Sequence, residues 1–192
     1  MQTIIIFERS VEHLKELARK HKREHGVSHT QALDLVAQKH GFQHWHHVTL
    51  SHAHVKPAEK AMKEGCILAF DVKDGMDVDT YDGALVEDRF LFELCQPQMY
   101  ERYKNTIFDD DQKPLKEMMS EQEIRANFED EFGYTFFRMH EKYNQMDLKG
   151  ILKVVREYSF WPPEYVWLKG HLIDSYHLPA EDEEGNIVGI RL

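Results

Sequence analysis

Apolar positions recur at helical spacing through the first third of the chain and in a less regular pattern afterwards. Thr3 to Phe7 forms an apolar arm or short strand, after which Val11, Leu14, Leu17, Ala18 and His21 mark one face of a helix. Ser10 is placed to cap its start, and Gly26 to end it in the left-handed conformation. Ser28 and Gln31 then form a capping box, in which each side chain bonds the other's backbone N–H. Ala32, Leu33, Leu35, Val36 and Ala37 give the second helix a wide apolar face, and Gly41 stops it. Phe42, Trp45 and Val48 repeat every three residues, which predicts a short third helix closing over the first two.

Beyond Lys56 the rhythm changes. Residues 57–64 are polar, begin with Pro57, and read as a connector. Cys66 to Val72 is almost wholly apolar, the pattern of a strand buried on both faces. Arg89 to Cys95 alternates and reads as a second strand, with a short helix over 97–105. Ser120 and Glu123 make another capping box ahead of Ile124, Phe128, Phe132, Phe136, Met139 and Tyr143, a spacing that predicts one long helix across Gly133. Its aromatic stripe reads as core. Asp147 caps a helix carrying Leu148, Ile151, Leu152, Val155 and Tyr158, which Phe160-Trp161-Pro162-Pro163 ends. Tyr165 to Ile173 reads as a third strand, 182–186 as a turn, and Ile187 to Ile190 as a fourth strand. The sum is an α+β chain. A three-helix module (1–56) and a connector (57–64) precede a domain (65–192) with a mixed, about four-stranded sheet and inserted helices.

Charge sharpens that division. The net charge is −10, yet the first 56 residues hold eight lysines and arginines against five acids. The remainder holds sixteen against twenty-nine, a surplus of thirteen negative charges. Ten of the thirteen histidines also lie in the first part. Lys15, Arg19, Lys20, Lys22 and Arg23 stripe the first helix and are the candidate nucleic-acid contacts, acting on phosphates by charge. The acidic domain is expected to repel nucleic acid and to bind a basic protein surface or a second copy of itself. No apolar run approaches the roughly 18–20 residues of a membrane span, and no leader pattern precedes Ile4-Ile5-Ile6-Phe7, so a cytoplasmic protein is expected. Cys66 and Cys95 sit in apolar runs and read as buried free thiols.

The segment Ser28-His29-Thr30-Gln31-Ala32-Leu33-Asp34-Leu35-Val36-Ala37, followed by Gly41-Phe42 and Trp45, resembles a short helical module of bacterial proteins. That module stands at the front of some members of the glyoxalase superfamily. The resemblance covers about 45 residues, rests on Ser28, Gln31, Gly41, Phe42 and Trp45 as structural positions, and implies no catalytic role for them. Ala37 and Gly41 have helix-turn-helix spacing, but Trp45 and Val48 fall out of step with that motif.

Three constellations carry candidate metal chemistry. Asp71 ends a buried strand, and Asp77 and Asp79 follow it in an acid-rich loop, a set suited to a divalent metal ion in phosphoryl chemistry. The loop departs from the calcium-binding pattern, since its third acid and its glycine come one position late. Glu93 and His171, on two expected strands, are the ligands a glyoxalase-like lyase would need. His44, His46, His47, His52 and His54 crowd eleven residues, and a pair three apart on a helix can chelate. No nucleophile elbow, P-loop or dinucleotide fingerprint occurs. The sequence thus favours a bacterial binding or regulatory protein, with a metal-dependent phosphoesterase, nuclease or glyoxalase-like lyase as the alternative.

Overall fold

The first helix, α1 (Glu8–His25), starts before Ser10. Phe7 is its N-cap residue, and its carbonyl accepts from both Ser10 N and Val11 N. Ser10 is therefore not the cap. The computed structural model describes residues 4–107, 113–174, 179–181 and 187–190. The helix ends as the sequence indicates, with Gly26 at φ 66° and its N–H on the Lys22 carbonyl. Helix α2 (His29–Lys39) carries the complete Ser28–Gln31 capping box. Helix α3 (Trp45–Glu64) is twenty residues long rather than short, so residues 57–64 continue it, with Pro57 inside.

Two compact units divide at Lys60 and Ala61. The first buries Ile6, Val11, Leu14, Ala18, Ala32, Val36, Ala37, Phe42 and Val48 in one core. Polar contacts fix its helix ends. Asp34 on α2 accepts from Trp45 N at 2.8 Å, and Glu59 on α3 accepts from Glu8 N at 2.9 Å. Each thereby satisfies an N–H that a helix start leaves unpaired.

The second unit is built on a sheet ordered β2-β3-β1-β4-β5, with every neighbouring pair antiparallel. Its strands are β1 (Cys66–Asp71), β2 (Leu85–Glu87), β3 (Tyr134–Met139), β4 (Tyr165–Leu168) and β5 (His171–Asp174). The α+β class holds, with five strands in this sheet rather than four and, among the described residues, no parallel pair. Alternation sorts the side chains onto two faces. Cys66, Leu68, Phe70, Phe137, Met139 and Val166 pack with Ile151 and Val155 of α8 (Leu148–Tyr158). Ile67, Ala69, Phe136 and Trp167 face the other way, towards α5 (Leu91–Lys104) and α7 (Glu121–Glu131), where Leu91, Cys95, Met99, Ile124 and Phe128 are buried. Two short helices, α4 (Val72–Gly75) and α6 (Leu115–Met118), fill connections. Strands β6 (Pro179–Glu181) and β7 (Ile187–Ile190) form a separate antiparallel pair. The turn expected over 182–186 lies outside the described residues.

Three further expectations are corrected. Arg89–Cys95 is not a strand. Leu91, Cys95 and Met99 also recur every four residues, and that periodicity wins because all three are buried along α5. The helix expected across 120–143 stops at Glu131, and Tyr134–Met139 is the strand β3 beside β1, its Thr135, Phe136 and Phe137 suiting a pleated surface. Tyr165–Ile173 is two strands joined by Lys169-Gly170, both at positive φ (51° and 81°), the geometry of a two-residue hairpin turn.

Candidate functional site

Strands β3 and β4 both run antiparallel to β1, so both start at the sheet end where β1 finishes. There Asp71 stands opposite Tyr134, and Ala69 opposite Tyr165. The end of α5 brings Met99, Arg102 and Tyr103 to the same place, with Thr106 just beyond it. The end of α7 adds Phe128, Glu131 and then Phe132. With Glu164 ahead of β4, these groups enclose a cleft of about 260 Å³.

Its wall is a continuous chain of rings. Centroids lie 5.5 Å apart for Tyr103–Phe128, 5.3 Å for Phe128–Phe132, and 5.4 Å for both Phe132–Tyr134 and Tyr134–Tyr165. The interplanar angles, 56–78°, place ring edges against ring faces, the arrangement the aromatic quadrupole prefers. Burial, then a hydrogen bond to Glu131, pushes the Tyr103 phenol up to about 12. Burial also raises Tyr134, reinforced by its hydrogen-bonded neighbour Tyr165 and by the charges of Glu164 and Asp71. Both phenols are therefore neutral at physiological pH, and the lining holds two carboxylates against one guanidinium.

The acid-rich loop is built differently from a metal cage. Asp71 accepts from Lys73 N at 2.8 Å, Asp79 from Tyr81 N at 2.9 Å, and Asp82 from Ala84 N at 2.8 Å. Asp88 repeats the pattern on Phe90 N at 3.0 Å and also accepts from Arg138 Nε at 3.1 Å. These are successive turns in which each aspartate bonds the backbone two residues on, and they account for the acid density locally. Asp82 also takes the Tyr158 hydroxyl at 2.7 Å. Its carboxyl is held below the usual range, first by the Ala84 N–H and then by that hydroxyl. Asp71, Asp77 and Asp79 are all exposed, and among the described residues no three His, Cys, Asp or Glu side chains converge to hold a metal ion. Glu93 lies exposed on helix α5, not on a strand as expected, and His171 lies exposed at the start of β5.

No family model, curated protein or solved structure matches this chain.

In the first unit the histidines do structural work. Backbone N–H groups of His47 and Gln43 donate to Nδ1 of His44 (3.1 Å) and of His47 (3.3 Å). His52 bonds Glu59 at 3.0 Å, while His46 and His54 are exposed. On α1, Lys15 pairs with Glu12 at 2.6 Å and Lys20 approaches Glu24 at 3.9 Å. Arg19, Lys22 and Arg23 are exposed and make no ion pair among the described residues. Desolvation, then the charges of His25 and Lys39, lowers the His21 imidazole from its ordinary value.

Both cysteines are free and buried. Burial pushes the Cys66 thiol up to about 12 and raises that of Cys95 as well. At pH 8 a thiol at that value is ionised to about one part in ten thousand, and the thiolate is the reactive form. Native protein should therefore label with a thiol reagent at least about a hundredfold more slowly than protein in denaturant. The native rate should climb as pH rises. Rapid stoichiometric labelling of the native chain would contradict this.

The ring-walled cleft escaped sequence reasoning. Its residues come from α5, α7, β3 and the approach to β4, and no local spacing ties Tyr103 to Tyr165. The only linear signal was the four-residue repeat Phe128, Phe132, Phe136, which also fits a buried helix face.

Proposed function

We propose that this chain is a binding protein whose acidic domain captures a basic protein partner, with a cationic group of that partner seated in the aromatic cleft. The observation that carries this reading is the placement of Glu131 and Glu164, two carboxylates against the single guanidinium of Arg102, on a cavity walled mainly by the rings of Tyr103, Phe128, Phe132, Tyr134 and Tyr165, with Met99 and Thr106 completing it. A cation against an aromatic face gains about 0.5–2 kcal/mol, more when desolvated. Carboxylates at the same cleft add attraction that a neutral ligand does not receive. The domain's surplus of thirteen negative charges would speed the approach of such a partner and weaken with salt. The test uses the full chain with a fluorescent lysine- and arginine-containing peptide and its acid-substituted counterpart. The basic peptide should bind, and its Kd should rise steeply between 50 and 200 mM salt. Equal binding of the acidic peptide at low salt would overturn the reading.

A second reading rests on α1, where Arg19, Lys22 and Arg23 stand exposed and unpaired among the described residues. They are the candidates for nucleic-acid contact. Each phosphate they neutralise would contribute about 0.9 to the logarithmic salt slope on duplex DNA. Absence of any oligonucleotide binding by the full chain at low salt would remove this reading and leave the first untouched.

A further inference from the structure

The geometry points to a primary alkylammonium, the side chain of a lysine on the protein partner, as the cation the cleft takes. The assignment rests on the reading of the acidic domain given above and narrows it to one chemical group.

Size sets the first limit. The cleft encloses about 260 Å³, below the roughly 300–1,000 Å³ of sites for drug-sized ligands. It has room for a single side chain. Ring geometry sets the second. A planar guanidinium is held best by stacking on a ring face and by a matching planar pair of acceptors. Along this wall the neighbouring rings meet at 56°, 62°, 78° and 75°, so no adjacent pair forms a parallel slot. Such a wall suits a methylene stem that touches several rings, with a compact charge at its tip.

Acceptor chemistry sets the third limit. An ammonium offers three donors and no acceptor. Glu131 and Glu164 supply anionic acceptors, and the Tyr103 hydroxyl faces Glu131. Arg102 balances one of the two carboxylates, leaving the lining with one net negative charge, the complement of one ammonium. The lysine source follows from charge complementarity, because the surrounding domain is strongly acidic and a basic protein surface brings lysines with it.

The experiment titrates the full chain with Nα-acetyl-lysine amide, its Nε-acetylated neutral form, and Nα-acetyl-arginine amide. Binding is read by calorimetry and by aromatic side-chain NMR shifts. The lysine derivative should bind at least tenfold more tightly than either of the others. E164Q and E131Q should each weaken it by fivefold or more, with unchanged near-ultraviolet circular dichroism. Affinity of the Nε-acetylated form within threefold of the lysine derivative would overturn the proposal, as would equal or tighter binding of the arginine derivative. These probes need no substitution, so a variant that fails to fold does not blur the result. If the basic peptide still binds with the expected salt dependence while the three small probes do not differ, only the ammonium assignment falls. If the peptide itself does not bind, the broader reading falls with it.

Discussion

Trp167→Ala should lower the stability of the α+β unit by about 3–5 kcal/mol, the range for truncating a buried large aromatic. Trp167 is fully buried on β4, between Ile67 of β1 and Leu172 of β5. Its ring lies 6.1 Å from that of Phe136 and 6.2 Å from that of Tyr165. Its indole N–H has no hydrogen-bond partner among the described residues. An unpaired buried donor costs about 1–3 kcal/mol, so Trp167→Phe removes a penalty while losing some volume. That variant should cost less than about half as much as alanine. Urea denaturation of the three proteins checks both statements. If phenylalanine is as damaging as alanine, the N–H is satisfied and this account of the site is wrong.

Gly75→Val should cost about 2–3 kcal/mol, the upper part of the range for overpacking, and Gly75→Ala less. Gly75 ends α4 and is buried. A Cβ built there would sit 2.8 Å from Thr135 Cβ and 3.1 Å from Thr135 Oγ1. The obstructing atom is bonded directly to the backbone of β3, opposite Phe70 in the sheet register, so it cannot swing aside. In a helix, alanine ordinarily gains about 1 kcal/mol over glycine. Here the contact reverses that sign. A shift of the urea midpoint to lower concentration with an unchanged slope is the expected signature. An alanine variant more stable than the parent would show that α4 can move away from β3.

What the sequence displayed was local physics. The capping boxes at Ser28–Gln31 and Ser120–Glu123, the Asp147 cap and the Gly26 terminator all depend on residues within four positions, and all appear as read. The errors arose where one string satisfied two periods. Leu91-Phe92-Glu93-Leu94-Cys95 is a short, largely apolar run that suits a strand, yet Leu91 and Cys95 also stand four residues apart, and only the position of the sheet decides between the two readings. Phe128, Phe132 and Phe136 keep helical spacing straight through the break at Gly133 into β3. At Asp71 and Asp79 the dense acids also have a local use that the sequence does not display, since each bonds the backbone of its own turn. The cleft depends on residues as far apart as Met99 and Tyr165, a juxtaposition set by strand order and invisible to any window along the chain.

Side-chain NMR of the full chain during titration with the basic peptide tests the central claim most directly, because it reports where the cation goes. Shifts should centre on the rings of Tyr103, Phe132, Tyr134 and Tyr165, and should disappear with the double variant E131Q/E164Q. Shifts confined to the acidic turns at 71–82, with those four rings unmoved, would show capture by diffuse surface charge and contradict a role for the cleft.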